Sequence, residues 1–356
     1  MMSLAAGKLN GPACAIVNLA GSPEDIGLAQ AEFILSNPTP SNVSSLVHWR
    51  TRDGGSGRAL ARWLSRWNPG LLSETEALAR GLGGSPYSVL GSWTRQPRQE
   101  ERSGCTLIGA CTGSPPVVGR NFDLGFSRAD IRVLKTEPRP GLTSIATGGW
   151  LGRYDGMNSA GLVIAMAVVE SRDEPPPSPG AIPATLLIRT ALDQLQTSDQ
   201  VLNLIDLIPG WGPVNYLIAE PSGEMAVVER EAGALRVRTA DKGLVVAANH
   251  FAGRQALRRA SSERYEAASS KSAARLSTAD RMKDLLFQLG NPRLTRWSEV
   301  FLPGERLVHF SGGHGAAYRE FSLSRPTPDQ TGSGRCRTGI GITHYPSLAH
   351  DPGFQQ

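Results

Sequence analysis

Cysteine is scarce in this chain, and long apolar runs are missing. The 356 residues include only Cys14, Cys105, Cys111 and Cys336, with no C-x-x-C spacing, which predicts neither a disulfide framework nor a zinc site. No run approaches the roughly 18 apolar residues that a membrane span requires. Met1 to Leu9 also lacks the apolar core of a secretory signal. We therefore expect a cytoplasmic protein without a membrane partner.

An excess of charge of either sign is also missing. The chain carries 37 basic and 32 acidic residues, a net charge of +5, and it contains no motif that reads DNA or RNA, so we expect no nucleic-acid partner. Three histidines near the C-terminus, His314, His344 and His350, match no metal-ligand spacing, so no metal is expected. Because no linker separates the motifs described below, we expect one compact domain.

The first hundred residues are predicted to be mostly helical. A strand over Pro12 to Gly21 precedes a helix capped by Ser22. Two further helices follow, over Arg58 to Gly70 and over Ser73 to Gly84, the second with Ser73 in capping-box spacing to Glu76. The polar stretch TRQPRQEERSG then indicates an exposed loop, which is where a cleavable junction is expected.

Strand patterns dominate the remainder of the chain. The runs IRVLKTE, LTSIATG and AGLVIAMAVV predict an antiparallel meander, and VNYLIAE, MAVVERE, ALRVRTA and GLVVAAN predict four more strands. Two helices, IPATLLIRTALDQL and SDQVLNLIDLI, the latter capped by Ser198, lie between the two groups, and WSEVFLPGERLVHF predicts a closing pair of strands. Helices on both sides of strand groups favour an α+β fold. After Ser324 the sequence predicts an extended, poorly packed segment.

One stretch, GCTLIGACTGSPPVVGRNFD from Gly104 to Asp123, combines a strand, a turn and a second strand in the pattern of a β-hairpin. Such a hairpin brings Arg120 and Asp123 beside the start of its first strand. If the bond between Gly104 and Cys105 breaks, Cys105 carries both a thiol and an α-amine, whose pKa near roughly 8 lets it accept the thiol proton. Arg120 would stabilise the thiolate, and Asp123 would orient the amine.

The chain resembles the N-terminal-nucleophile (Ntn) hydrolases of the acyl-coenzyme A:isopenicillin N acyltransferase and choloylglycine hydrolase group. The matching segments are GCT followed by GRNFD, then DGMNSAGL, IPATLLIRTALDQLQTSDQV, VAANHF and SSERYEA, with GSPEDIG before them. They span about residue 15 to about residue 320. The resemblance implies a four-layer αββα sandwich, in which two antiparallel sheets lie between helical layers. It also implies that residues 1–104, which their patterns predict to be mostly helical, are a pro-segment, and that residues 105–324 are the catalytic fragment of one shared domain. The composition after Ser324 predicts a Pro/Gly/Ser-rich tail over 325–356.

The resemblance also implies the roles of the site residues. The chain would cut itself between Gly104 and Cys105, and Cys105 would then attack a linear amide or thioester. Asn158, through its backbone amide, and Asn249, through its side chain, would stabilise the oxyanion. Arg264 would hold the side of the site that contains the nucleophile.

The expected partners are a small-molecule acyl donor, an amine acceptor or water, and the chain's own cleaved fragment. No cofactor is expected apart from an acyl-coenzyme A or acyl-amide co-substrate. Arg120 matches the bile-salt hydrolase side of the group, whereas the long pro-segment matches the acyltransferase side, so both activities stay open. Two other hypotheses also stay open: a catalytically silent binding protein on this scaffold, and an uncut cysteine hydrolase that uses His250 as its base.

Overall fold

The computed structural model describes residues 14–36, 55–92, 103–113, 115–124, 131–170, 181–210, 212–231, 234–324 and 341–344. Its strands are β1 Cys14–Gly21, β2 Ser103–Ala110, β3 Val117–Leu124, β4 Ile131–Pro138, β5 Ser144–Gly148, β6 Arg153–Asn158, β7 Val163–Val168, β8 Val214–Ala219, β9 Met225–Glu231, β10 Ala234–Thr239, β11 Leu244–Ala247, β12 Thr295–Leu302, β13 Leu307–Ser311, β14 Arg319–Ser322 and β15 Gly341–His344. Its helices are α1 Pro23–Ser36, α2 Gly55–Trp67, α3 Pro69–Gly81, α4 Pro86–Ser92, α5 Ala184–Gln194, α6 Ser198–Leu207, α7 Arg259–Ser269 and α8 Ala279–Leu289, with a 3₁₀ turn at Ala273–Leu276.

The strands form two sheets. The larger has the order β10-β9-β8-β7-β6-β5-β4-β1-β15, and the smaller has the order β11-β2-β3-β12-β13-β14. The predicted meander is confirmed, because β4 to β10 are neighbours in chain order. Of the four later strands, however, β11 leaves the meander and pairs with β2 in the smaller sheet. Only β1 and β4 run parallel among the pairs that the described strands form.

Three apolar layers separate the sheets and helices into four layers. Helices α1 to α6 pack on the outer face of the larger sheet, the two sheets pack against each other, and α7 and α8 cover the smaller sheet. The alternation of side chains along a strand explains this division. In β2, Leu107 faces the other sheet while Ile108 faces the helices. The α+β fold with an αββα arrangement is confirmed.

Two helix starts differ from the prediction. Helix α3 begins at Pro69, and its cap is the buried Asn68, whose side chain accepts a hydrogen bond from the Leu71 N–H; Ser73 therefore lies inside the helix. Helix α6 is capped by Thr197, in a capping box with Gln200, rather than by the neighbouring serine. The cap of α3 lies five residues earlier than predicted and that of α6 one residue earlier. Several polar residues near each start are chemically able to cap.

The C-terminal segment also differs where it can be compared. Most of the predicted tail over 325–356 lies outside the described residues, as does most of the predicted exposed loop, from Thr94 to Arg102. The last two residues of that loop, Ser103 and Gly104, instead begin β2, and Gly104 is buried because it pairs with β3, so the junction does not lie on an exposed loop. The part of the tail that is described, β15, is a strand that pairs antiparallel with β1. Within the described ranges, the helices are too short or too polar to cross a bilayer.

Candidate active site

The predicted hairpin is confirmed, and it sets the geometry around Cys105. Strands β2 and β3 are antiparallel, with Gly104 opposite Asp123 and Cys105 opposite Phe122. Because successive side chains point to opposite faces, the Cys105 side chain enters the layer between the sheets, whereas Asp123 belongs to the face covered by α7 and α8. The groups of the site therefore lie on both faces of the smaller sheet.

The Cys105 thiol lies beside a buried arginine. Its Sγ is 4.0 Å from Nη2 of Arg120, and the cysteine is only 4% exposed. Burial raises the pKa of the Cys105 thiol, and the positive charge of Arg120 opposes that rise. A thiol in this environment needs a base to remove its proton near neutral pH.

Arg120 is held by a partner that the sequence analysis did not single out. Nη1 of Arg120 forms an ion pair with the carboxylate of Asp155, both side chains are fully buried, and Nη2 donates to the Met166 carbonyl at 3.3 Å. Asp155 opens the DGMNSAGL segment, where an acid inside a strand was the available signal. Because a buried guanidinium requires a countercharge, Asp155 fixes both the charge and the position of Arg120.

Asp123 lies on the other side of the strand and has two partners. Its Oδ1 accepts a hydrogen bond from the Thr295 hydroxyl at 2.7 Å, and Nε of Arg264 lies 4.0 Å from its Oδ2. Burial raises the pKa of Asp123, while the hydrogen bond from Thr295 and the charge of Arg264 lower it. Thr295 follows Asp123 by 172 residues, and no motif in the sequence marks it.

The Asn249 side chain is hydrogen-bonded to the backbone nitrogen of Cys105. Its Oδ1 accepts from the Cys105 N–H at 2.7 Å and from Nη2 of Arg264 at 3.1 Å, and its Nδ2 donates to the Val168 carbonyl at 2.8 Å. Two donors converge on Oδ1, so the hydrogen bonds determine the orientation of the amide. The resemblance implies that the side-chain N–H of Asn249 serves the oxyanion, but in the uncut chain it is the side-chain oxygen of Asn249 that faces Cys105.

Gly104 occupies a space that only glycine fits without displacing its neighbours. A Cβ at this position would lie 2.8 Å from Nη2 of Arg264 and 3.2 Å from Oδ2 of Asp123. Since Arg264 also contacts Asn249, a side chain at residue 104 would displace the guanidinium that connects these groups. The tight fit accounts for a glycine immediately before the cysteine.

The hydrogen-bond partners of Asn158 in the uncut chain are groups other than Cys105. Its backbone N–H donates to the Leu162 carbonyl at 3.0 Å, within the turn between β6 and β7. Its Nδ2 donates to the carbonyls of Leu192 and Leu195 at the end of α5. Its hydrogen-bonding groups therefore connect the turn to the helix, and the backbone amide proposed for the oxyanion is already used.

The contacts of the His250 ring are Ser261 and Tyr265. Its Nδ1 is 2.8 Å from the Ser261 hydroxyl, and its ring packs edge-on against Tyr265. Burial lowers the pKa of His250. The polar partners that the structure gives Cys105 are instead Asn249 and Arg120, so the geometry does not support a histidine base.

A cavity of about 300 Å³ opens beside the junction. Its walls include Gly104, Asp123, Asn249 and Arg264. At its rim, Nε of Arg258 and Oε1 of Glu170 form an ion pair at 2.6 Å. The cavity thus provides space for a small molecule next to the residue that precedes the cysteine.

Comparison with known proteins gives a family match. A sequence model of acyl-coenzyme A:6-aminopenicillanic acid acyl-transferase matches residues 111–296, which is 186 of the 356 residues. The match begins six residues after Cys105 and includes Arg120, Asp123, Asn249 and Arg264. No curated protein sequence matches the chain.

Several solved structures are similar at 14% sequence identity. Penicillin V acylase from Agrobacterium tumefaciens has a TM-score of 0.45, with 62% of this chain and 86% of that chain covered. Conjugated bile acid hydrolase from Clostridium perfringens has a TM-score of 0.45, with 69% and 99% covered. A Caenorhabditis elegans ortholog of N-acylethanolamine-hydrolyzing acid amidase has a TM-score of 0.44, with 56% and 93% covered.

Proposed function

The chain belongs to the acyl-coenzyme A:6-aminopenicillanic acid acyl-transferase family of Ntn enzymes, and on this premise we propose that it is a self-activated cysteine amidohydrolase or acyltransferase. Its substrate would be a linear amide or thioester, and its acyl acceptor would be water or an amine. The observation that carries the proposal is the pairing of two contacts on one residue: Asn249 holds the backbone nitrogen of Cys105, and Arg120 faces its thiol.

Activation would start at the bond between Gly104 and Cys105. The thiol attacks the Gly104 carbonyl, the acyl group moves from nitrogen to sulfur, and water then opens the thioester. The products are a new carboxylate on Gly104 and a free α-amine on Cys105. The hydrogen bond from the Cys105 nitrogen to Asn249 supports this step, because it holds the leaving nitrogen in place.

Turnover would use that amine as the base. With an ordinary pKa near roughly 8, the amine accepts the thiol proton at neutral pH. Asn249 and the Asp123–Arg264 pair lie where they can orient it, and Arg120 stabilises the thiolate. The thiolate attacks the substrate carbonyl, the amine or thiol leaves with the proton, and the acceptor releases the acyl group from sulfur.

The oxyanion requires a hydrogen-bond donor, and Asn249 is the candidate because its side chain already contacts the backbone of Cys105. Its Nδ2–H would turn from the Val168 carbonyl toward the tetrahedral intermediate. A single donor of this kind contributes about 3 kcal/mol to lowering the barrier.

After cleavage, residues 1–104 and 105–356 would form a heterodimer with one core. A buried ion-pair network supports this, because Arg189 on α5 pairs with Glu74 on α3 at 2.8 Å and with Asp193 at 2.7 Å. Strand β1 also lies between β4 and β15. The first fragment is therefore held by charge pairs and by strand pairing at once.

The test is intact-protein mass spectrometry of the purified chain. We expect two fragments, of 104 and 252 residues (356 minus 104), and an acyl adduct on the second after exposure to amides and acyl thioesters. Cys105→Ala should abolish both cleavage and turnover, whereas Cys111→Ala, which changes a half-buried cysteine of the same hairpin, should retain both.

Other outcomes would select the competing hypotheses. An uncut chain that turns over substrate and loses activity in His250→Ala would favour a histidine base. A chain that binds acyl compounds but is neither cut nor acylated would be a silent binding protein. If Cys105→Ala still hydrolyses substrate, the proposal is wrong.

A further inference from the structure

Arg120 faces a second buried acid that the proposed mechanism does not use. Glu299 on β12 stands directly opposite Arg120 on β3 and is 1% exposed. The indole N–H of Trp297 donates to Oε2 of Glu299 at 3.1 Å and reaches Oδ2 of Asp155 at 3.4 Å. One indole thus connects the two carboxyl groups that surround the guanidinium.

The charges in this cluster do not balance if both acids are ionised. Arg120 supplies one positive charge, and Asp155 already neutralises it through an ion pair. A second buried carboxylate would leave a net negative charge out of water, which costs several kcal/mol. Burial accordingly raises the pKa of Glu299 to about 8, while Arg120 and the Trp297 hydrogen bond oppose the rise. Glu299 is therefore protonated at neutral pH.

The other groups around Glu299 leave this conclusion unchanged. The phenol of Tyr318 interacts with Glu299, and burial raises its pKa to about 12, so it is neutral in the same range. On the neighbouring strand β13, the residue opposite Glu299 is Phe310, which carries no charge. Arg120 thus acts on Asp155, Glu299 and the Cys105 thiol, and Arg264 acts more weakly on the thiol as well.

We propose that Glu299 is a positioning residue of the cysteine site: as a neutral acid it leaves the charge of Arg120 available to the Cys105 thiolate, and when it ionises it withdraws that charge. The inference rests on the proposed role of Cys105 as nucleophile. Because thiolate and carboxylate compete for one guanidinium, each ionisation disfavours the other. The activity of the site should therefore have an alkaline limit: it should fall as the pH rises past the value at which Glu299 loses its proton.

The experiment is an NMR titration of the full chain labelled with ¹³C at glutamate Cδ and cysteine Cβ, which reports protonation whether or not a group is accessible. We expect one glutamate signal, missing in Glu299→Gln, that titrates near pH 8. In Glu299→Gln, the thiolate fraction of Cys105 should be unchanged at pH 7 and about tenfold larger at pH 9. Glu305→Gln, the same change at an exposed position, should leave the Cys105 titration unaltered.

Two outcomes would overturn the proposal: a Glu299 signal that titrates near the ordinary glutamate value of roughly 4, or a Cys105 titration that is identical with and without Glu299. Asp155→Asn provides a second test, because Glu299 then becomes the sole countercharge and its signal should titrate at lower pH. An unchanged signal in that variant would also contradict the proposal.

The alkaline limit also has a readout in activity. If turnover falls as the pH rises through 8, Glu299→Gln should retain turnover there, whereas a merely structural role would lower it equally at every pH. The NMR titration does not require catalysis, so a failure of the proposed function, seen as turnover by Cys105→Ala, remains distinguishable from a failure of this inference.

Discussion

The raised pKa of Glu299 has a consequence for stability that can be measured without any substrate. The perturbation is Glu299→Gln in a Cys105→Ala background, which keeps the chain uncut. Between pH 4.5 and 8 the folded protein holds the Glu299 proton, whereas the unfolded chain has lost it. The unfolded state therefore binds fewer protons, and stability falls as the pH rises through this range.

The magnitude follows from the two pKa values. The ordinary value is 4.5 and the folded value is about 8, and each pKa unit corresponds to about 1.4 kcal/mol. The contribution is therefore fully present below pH 4.5, and roughly 5 kcal/mol of it is lost once the pH exceeds 8. The glutamine variant cannot lose a proton at this position, so its stability should not show this decline.

The assay is urea unfolding of both proteins at pH values from 5 to 9, followed by circular dichroism. The free energy of unfolding of the glutamate form should fall relative to that of the glutamine form as the pH rises, and the difference should level off above pH 9. Parallel curves would refute the reasoning, because they would show that the folded and unfolded states release this proton at the same pH.

Three further predictions concern other parts of the site and the fragment interface. Gly104→Ala should slow self-cleavage roughly thirtyfold, since displacing the Arg264 guanidinium loses a charged hydrogen bond of about 2 kcal/mol. The control is Gly55→Ala, whose added Cβ meets nothing within 4 Å, and equal cleavage rates of the two variants would contradict the prediction. Thr295→Val removes the hydrogen bond that lowers the pKa of Asp123, so the acid limb of the pH–rate profile should move to higher pH; an unmoved limb would argue against an orienting role for that carboxylate. Glu74→Gln leaves the buried Arg189 with one charged partner fewer, which should destabilise the chain by about 3 kcal/mol. The cleaved fragments should then separate at a lower urea concentration in size-exclusion chromatography. If they separate at the same urea concentration as the wild-type fragments, the ion pair is not needed.

Much of the local structure is predictable from the sequence. The alternation in CTLIGA and VVGRNFD, with a Gly-Ser-Pro-Pro turn between them, predicts the hairpin that places Asp123 beside Gly104. The helices of the first hundred residues follow from apolar positions at helical spacing. Cap residues are less predictable, as at Asn68 and Thr197, because neighbouring polar side chains compete for one role and small differences in packing decide between them.

The site is predictable only in part. The structure places Cys105, Arg120, Asp123, Asn249 and Arg264 near one another, and their catalytic roles stay predictions. The role that the resemblance implies for Asn158 stays a prediction: its backbone N–H donates within the turn between β6 and β7, and a turn residue and an oxyanion donor have the same sequence signature.

The local elements, the α+β class and the glycine–cysteine junction at the start of a hairpin can be predicted from the chain alone, because they depend on the periodicity and chemistry of adjacent residues. Which groups surround that junction depends on how the strands and sheets pack in three dimensions. Asp155, Thr295 and Glu299 lie on strands far from the cysteine in the chain, and they reach the site through the register of β3 with β12 and the stacking of two sheets. Those two alignments are set by the packing of the whole core, which no short segment specifies.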